Sequence, residues 1–343
     1  PPCFWRSAWR AWRRTAGDPA PEVPAPHLAA LAMSAGLTLP FPDRYSPGMF
    51  RLRAPLVRPD DVDALADAGA DAFFCGVVDP CDEVEVASSN RRANPEANLH
   101  GMEALAEACA KVHARGCTVH VAFNEHHVVP SHLPRFRRRL EQAREAGADG
   151  VIVGSLPVLA EARRVFAEGI VAASVAFAVR NAAAARFLRA RGVDEIVLSR
   201  DVVPVEAARL ARACPDVEFE VFAKNSRCGN IDGLCGYSHH CLDGIPYDVG
   251  CMEVEDRRAP RLRLHACAAC QLHPLRDVSN LRTFKVAGRD FPPEGIVRDV
   301  AFVRAVLDRM AAEPDAGAFA EWAMAWHERC YGAPCGRDCY YER

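Results

Sequence analysis

The chain has 343 residues, half of them hydrophobic, which is enough for one large α/β barrel or two ordinary domains with a sizeable core. Its formal net charge of −3 disfavours a duplex-binding role, although it leaves room for a local basic patch. No apolar stretch approaches the roughly 20 residues that a membrane span needs. Fifteen cysteines, an odd number without a convincing signal peptide, favour reduced thiols and metal ligation in the cytoplasm over a disulfide framework.

The first 45 residues differ in composition from the rest of the chain. Three tryptophans lie among arginines there, and a Pro/Ala stretch runs from Pro19 to Pro26. Such a segment offers little apolar surface to bury, so we predict a disordered leader over residues 1–45. A barrel is expected over residues 46–312, and a C-terminal helix with a Cys-containing tail over 313–343.

From residue 50 onward a unit recurs: an amphipathic helix, a glycine corner and a short β-branched strand. The corners lie at Gly69, Gly116, Gly147 and Gly192, where each helix is expected to end in a left-handed cap before a buried parallel strand. Eight such strands with helical crossovers predict a (β/α)8 TIM-type barrel. The strands are expected at Phe50–Leu56, Ala72–Val77, Thr118–Asn124, Gly150–Ser155, Ile170–Val175, Glu195–Arg200, Val217–Ala223 and Arg282–Val286.

Polar residues gather at the carboxyl ends of these strands, where barrels of this kind build their sites. Asn124 ends the third strand, Arg200 the sixth, and Lys285 and Arg289 close the eighth. A lysine and forked guanidinium groups suit an anionic substrate such as a carboxylate. The neighbouring segment Glu125 to His127 could supply acid–base chemistry or metal ligands, but solvated histidines are the more common case at a barrel mouth.

A cysteine-rich insertion, residues 226–281, separates the seventh and eighth strands and would lie over the barrel mouth. So many thiols in one stretch predict a soft-metal site, either zinc or an iron–sulfur cluster, because thiolate is a ligand that both accept. The six cysteines of the insertion are Cys228, Cys235, Cys241, Cys251, Cys267 and Cys270.

The remaining cysteines allow several interpretations. Those near the C-terminus could bind a second metal, supply a ligand to the first, or be exposed tail thiols. Cys75 and Cys81 follow the second strand and could reach the site. The tail thiols are Cys330, Cys335 and Cys339, and the thiols expected in the core are Cys109, Cys117 and Cys214.

Glu220-Val221-Phe222, followed by Cys228 and Cys235, resembles the Glu-x-Phe…Cys-x6-Cys signature of the collagenase-like peptidase family U32. The block from Lys285 to Arg289 is similar to that family's Lys-Ile-Glu-Gly-Arg block. The resemblance spans about residues 50 to 310. Further matching segments are Ala54-Pro55, Ala68 to Ala72 and Leu198 to Asp201.

The resemblance implies more than the family name does, because several members act in oxygen-independent hydroxylation. They act in ubiquinone biosynthesis, or on transfer or ribosomal RNA with prephenate, and some carry a [4Fe–4S] cluster. It implies four cysteine ligands here: Cys228, Cys235, Cys251 and Cys270. The chain departs from the family pattern at Lys224-Asn225, where glycine and histidine are usual, and Cys241 and Cys267 are extra candidates.

We therefore expect a cytoplasmic iron–sulfur protein that hydroxylates a small anionic organic substrate, with prephenate as a candidate oxygen donor. Lys285, Arg289 and Arg200 would orient the substrate, and Asn124 or Glu220 would polarise it. A peptidase is the alternative, although no hydrolytic motif is visible. A third hypothesis is that the chain is a noncatalytic subunit of a heteromer with a related protein. RNA is less favoured, since a charge run such as 137–139 is usually a solvated helix face.

Overall fold

Eight parallel strands close into a barrel in this computed structural model, which describes residues 50–78, 95–125, 128–227, 233, 265–336 and 338–341. The order around the barrel is β1-β10-β9-β8-β7-β6-β5-β2, so β1 and β10 close the ring. The barrel strands are β1 Arg51–Pro55, β2 Ala72–Cys75, β5 Thr118–Phe123, β6 Gly150–Val153, β7 Ile170–Ala173, β8 Glu195–Val197, β9 Glu218–Lys224 and β10 Leu281–Val286.

Helices follow most of the strands and bury their apolar faces against the outside of the barrel, and the last helix packs on the one before it. In the described residues they are α1 Val62–Asp67, α2 Gly101–Ala114, α3 Leu133–Glu145, α4 Leu156–Val165, α5 Ala182–Arg189, α6 Pro204–Ala213, α7 Pro293–Ala312 and α8 Ala316–Tyr331. None of these helices is long and apolar enough to cross a membrane.

The eight predicted strands and the barrel are confirmed, with boundaries that differ by a few residues. The structure adds a pair that the periodicity did not predict: β3 Val77–Val78 runs parallel to β4 Leu99–His100. The predicted domain boundaries stay a prediction, and residues 1–49 lie outside the described part of the chain. The insertion is described only through residue 227, at Gly233 and from residue 265 onward.

The aspartates at three of the glycine corners tie each strand to the strand before it. The carboxylate of Asp71 accepts a hydrogen bond from the backbone N–H of Leu52 at 2.9 Å. Asp149 does the same for Val119 at 2.8 Å, and Asp194 for Val171 at 3.0 Å. Each corner therefore turns the chain and also fixes the register between neighbouring strands, which decides which side chains face inward.

The inner face of the barrel carries charged side chains as well as apolar ones. Paired residues of parallel strands point to the same face, and the pairing of Arg53 with Lys285 and of Lys285 with Phe222 places all three inward. Glu220 pairs with Thr283 and shares that face. Buried charges of this kind have to be paired, so the interior of this barrel depends on an ion network.

Replacing Gly69 with alanine should destabilise the barrel. Gly69 has φ of +104°, and a Cβ there would lie 2.4 Å from Cγ of Arg304. We expect a loss of about 1–3 kcal/mol in the free energy of unfolding, measured by denaturant titration. The matched control is Gly295→Ala in α7, where a Cβ meets nothing within 4 Å. The control should be neutral or stabilising, and equal losses in both variants would contradict this account.

Candidate functional site

A buried ion network crosses the inside of the barrel. Arg53 of β1 donates to Glu195 of β8 at 2.6 and 3.1 Å and to Glu220 of β9 at 2.5 Å. Lys285 of β10 donates to the other oxygen of Glu220 at 2.8 Å. All four residues are at most 5% exposed. Two cations thus face two carboxylates, and Glu220 is the group that both cations share.

His120 of β5 lies beside this network and is kept neutral. Its pKa is lowered to about 3, first by burial and then by the positive charge of Arg53. Burial opposes ionisation of Glu195, but the attraction of Arg53 prevails and lowers the pKa of Glu195 to about 2. Burial lowers the pKa of Lys285, against the attraction of Glu220. The ion network therefore places fixed charges around an uncharged imidazole.

Three cations, one of them Lys285 of the ion network, gather around two aromatic rings. The ammonium of Lys285 lies 4.0 Å from the centre of the Phe74 ring, and the guanidinium of Arg289 lies 5.9 Å from the same centre. Arg200 lies 4.4 Å over the Phe222 ring, and Lys285 is 6.0 Å from it. Cations packed this closely repel one another, so an anion between them would be stabilised.

Two further contacts fix the arginines. Arg289, which is 5% exposed, donates to the side-chain oxygen of Asn98 at 3.0 Å. Arg200 donates to the hydroxyl of Tyr340 at 3.1 Å, and the Tyr340 ring stacks on Phe222 at 5.8 Å between centroids. The C-terminal segment therefore reaches the barrel mouth and helps to hold a predicted site residue.

Buried side-chain oxygens without a hydrogen-bond partner lie at the carboxyl ends of β5, β6 and β8. They are the side-chain oxygens of Asn124, Ser155 and Ser199, which follow β5, β6 and β8. Unpaired buried oxygens are costly, so a polar ligand is one way to satisfy them. Glu125 is buried, whereas His126 and His127 lie outside the described residues.

The loop that carries Cys267 and Cys270 docks on the end of β9. Ala268 donates to the carbonyl of Ala223 at 2.9 Å, and Asn225 donates to that of Ala266 at 2.7 Å. Burial raises the pKa of the Cys267 thiol to about 11, while the nearby ammonium of Lys224 acts in the opposite direction. Two of the predicted metal-site thiols thus lie directly beyond the carboxyl end of a barrel strand.

The other four cysteines of the insertion, Cys228, Cys235, Cys241 and Cys251, lie outside the described residues, as does Cys81. Within the part of the chain that the structure describes, no three His, Cys, Asp or Glu side chains are arranged to hold a metal ion. Of the tail thiols, Cys330 is buried, and Cys335 and Cys339 are half-buried. The thiols predicted for the core, Cys109, Cys117 and Cys214, are buried there, and Cys75 is buried as well.

Lys224 and Asn225, where the sequence departs from the family pattern, make buried polar contacts. Lys224 is 2% exposed, and its ammonium lies 3.8 Å from a carboxylate oxygen of Asp299 in α7. Asn225 donates to Asp299 at 2.7 Å, and the hydroxyl of Tyr331 donates to it at 2.5 Å. Asp299 thereby ties the end of β9 to the last turn of α8, so the two replaced residues belong to a buried polar cluster.

Sequence reasoning missed Arg53, Glu195, His120 and Tyr340. The first three are inward positions of strands, and charges in short buried strands are a signal that could have revealed them. Nothing in the local sequence links Tyr340 to Arg200, because that contact depends on the path of the C-terminal segment.

Comparison with known proteins agrees with this architecture. A model of "Peptidase family U32" matches residues 58–335. The chain is 28% identical over 169 residues to tRNA hydroxylation protein P of Escherichia coli (strain K12), which covers 49% of this chain and 34% of that protein. It therefore spans about a third of that relative's length. The solved structure of the U32 peptidase Mk0906 is 15% identical with a TM-score of 0.50, covering 74% of this chain and 98% of that one, which shows a shared fold.

Acid should destabilise the barrel through His120 and Glu195. Both pKa values lie below the ordinary values of 6.5 and 4.5, so the unfolded chain binds more protons and stability falls as the pH falls. The His120 contribution is lost from pH 6.5 toward 3, and that of Glu195 from 4.5 toward 2. Each group changes the free energy of unfolding by up to about 1.4 kcal/mol per pH unit.

His120→Gln should flatten this dependence between about pH 6 and pH 5, where histidine dominates. The measurement is denaturant unfolding of both proteins at a series of pH values. Identical slopes in the variant and the unaltered protein would show that the imidazole is not held neutral.

Proposed function

The chain belongs to peptidase family U32, and from this we propose that it is an iron–sulfur protein of oxygen-independent hydroxylation that acts on a small anionic organic substrate. The observation that carries the proposal is the convergence of Lys285, Arg289 and Arg200 around Phe74 and Phe222, next to a thiol-bearing loop. Such a mouth suits a carboxylate attached to a planar or cyclic body.

The relative from Escherichia coli supports the reaction class. Its name describes hydroxylation of tRNA, and it is similar to about half of this chain. An RNA base and a quinone precursor are both candidate substrates, and prephenate is the candidate oxygen donor. The family resemblance also suggests a protein partner, a related U32 protein with which this chain would form a heteromer.

Charged and neutral side chains would have different roles in binding the substrate. Lys285 and Arg289 would bind the carboxylate group, and the contact with Asn98 holds Arg289 in place for this. Glu220 holds Lys285 and Arg53 rather than the substrate, because both of its oxygens are engaged at 2.5–2.8 Å. Asn124, whose buried side-chain oxygen has no partner, would accept a hydrogen bond from the substrate. Fixed partners of this kind leave little reorganisation for the binding step.

The donor set suits a [4Fe–4S] cluster, because thiols are the soft ligands that such clusters use. Cys228, Cys235, Cys251 and Cys270 would hold it. Cys270 lies in a short turn, Ala269–Gln271, whose loop is hydrogen-bonded to the end of β9. When bound, the cluster would handle electrons or polarise the oxygen donor. The ammonium of Lys224, which lies against this loop, would offset negative charge there.

Replacing the guanidinium group of Arg289 with the ammonium group of lysine should weaken anion binding. In Arg289→Lys we expect the dissociation constant for prephenate to rise about tenfold or more, because lysine cannot bind a carboxylate bidentately. Isothermal calorimetry on the anaerobic protein measures this. The matched control is Arg138→Lys on the exposed face of α3, which should leave binding unchanged. Equal binding by all three proteins would remove Arg289 from the site.

The protein should be brown after anaerobic purification, with broad absorption near about 400 nm. Cys228→Ala and Cys235→Ala should each lose most of it, and Cys109→Ala, a buried core thiol, should retain it. A colourless protein with stoichiometric zinc would defeat the cluster hypothesis.

A strain that lacks the protein tests the reaction itself. It should lose one hydroxylated RNA base or quinone intermediate under anaerobic growth. The peptidase alternative predicts that the purified protein cleaves gelatin and that Glu220→Gln or Cys228→Ala abolishes cleavage. That result would overturn the hydroxylase proposal.

A further inference from the structure

Lysine is rare in this chain, and two of its lysines are buried. Of the 42 lysine and arginine residues, only Lys111, Lys224 and Lys285 are lysines. The side chain of Lys111 is 37% exposed on α2, whereas Lys224 and Lys285 are 2% and 5% exposed. Arginine keeps its charge throughout a protein, but a buried lysine can lose its proton and react as a primary amine. The buried lysines are therefore candidates for chemistry that arginine cannot perform.

Lys285 is the buried lysine that faces the inside of the barrel. Lys224 pairs with a carboxylate of α7, outside the barrel. Lys285 lies one residue before the end of β10 and is in register with Phe222. Its carboxylate partner Glu220 is in register with Thr283, so Glu220 lies one inward-facing layer deeper. The ammonium of Lys285 is therefore held from the barrel interior, the side away from the mouth.

Burial and a neighbouring cation favour the uncharged amine of Lys285. Burial lowers the pKa of Lys285, and the positive charge of Arg53 acts in the same direction. The carboxylates of Glu220 and Glu195 oppose this, but the pKa stays below its ordinary value. His120 faces the same network as an uncharged imidazole. Desolvation and a nearby cation are the conditions under which a lysine becomes a nucleophile.

Two guanidinium groups lie beside this amine. Arg289 shares the Phe74 ring with Lys285, and Arg200 shares the Phe222 ring with it. A carboxylate bound by these arginines would lie next to the nitrogen of Lys285. In a 2-oxo acid the ketone carbon is bonded directly to the carboxylate carbon. Binding the carboxylate of such a molecule would thus place its ketone carbon within reach of the amine.

We propose that Lys285 is a nucleophile that forms an imine with the ketone group of a 2-oxo acid, whose carboxylate Arg289 and Arg200 bind. The inference rests on the proposed function for the anion-binding mouth and deepens it, because it names the class of the anionic ligand. It does not depend on the cluster.

The step needs no oxidant or reductant. Lys285 gives a proton to Glu220, and the free amine attacks the ketone carbon, so that a C–N bond forms while the π electron pair of the carbonyl moves to oxygen. A proton then moves from the nitrogen to this oxygen. Glu220 returns its proton, the C–O bond breaks, and water leaves. The product is an iminium with the same single positive charge as the starting ammonium, so Glu220 still faces two cations.

The experiment is reductive trapping in the full chain after anaerobic purification. The protein is incubated with phenylpyruvate or prephenate and sodium cyanoborohydride, which reduces an iminium to a stable secondary amine. Peptide mass spectrometry then locates the adduct, which we expect at Lys285. Lys111, with its exposed side chain, reports non-specific imine formation in the same sample. Phenyllactate, which has the carboxylate and ring without the ketone, should give no adduct.

Variants separate the nucleophile from a fixed charge. Lys285→Arg should lower the adduct yield at this position about tenfold or more, because a guanidinium keeps its proton and forms no imine. Lys285→Met should do the same, and Lys111→Arg should leave the adduct at Lys285 unchanged. Circular dichroism checks that the variants are folded. The location of the adduct in the unaltered protein decides the question even if a variant fails to fold.

The outcomes separate this inference from the proposed function. No adduct at Lys285 with either 2-oxo acid, or labelling of Lys111 to the same extent, would overturn the inference. Brown protein that binds prephenate in calorimetry without an adduct would keep the proposed function and overturn the inference. An adduct at Lys285 in colourless protein would support the inference and defeat the cluster hypothesis.

Discussion

The ion network between Arg53, Glu195, Glu220 and Lys285 is the interaction on which the site depends. It joins strands from opposite ends of the chain inside a closed barrel, where a single unpaired charge would cost several kcal/mol. An apolar interior of the same volume would be as stable or more so. The network sets the position of a site residue, because Glu220 holds Lys285 where its ammonium lies over the Phe74 ring.

The fold could be predicted because its signals are local. Each glycine corner ends a helix, and each short β-branched run that follows can only be a buried strand. Lys285, Arg289 and Arg200 could be predicted as neighbours for the same reason, since the carboxyl ends of barrel strands meet at one face. Arg53 and Glu195 could not, because their partners are set by strand register. The contact of Tyr340 with Arg200 joins residues far apart in sequence and leaves no local pattern.

The departure from the family at Lys224-Asn225 is understandable in backbone terms. Asn225 has φ of +69° and Ser226 of +54°, both in the left-handed region where glycine is least strained. Asparagine tolerates this conformation better than most side chains, and here its amide gains a buried partner in Asp299. Asn225 at this bend thus makes a hydrogen bond that glycine could not make, and Lys224 adds an ion pair to the same carboxylate.

The hydrogen bonds of the corner aspartates determine where the chain of the barrel could be cut without dividing a strand from the aspartate that holds it. Asp149 bonds to Val119 and Asp194 to Val171, so a cut between residues 166 and 169 would leave both bonds inside their own fragments. A cut just after β7 would divide Asp194 from the strand that it holds. Two halves split at the first point would each keep their internal register. Their joint would be the central charges, because Arg53 lies in one half and Glu195, Glu220 and Lys285 lie in the other. Recognition between such halves would be electrostatic at its centre, with neither half able to bury its charges alone.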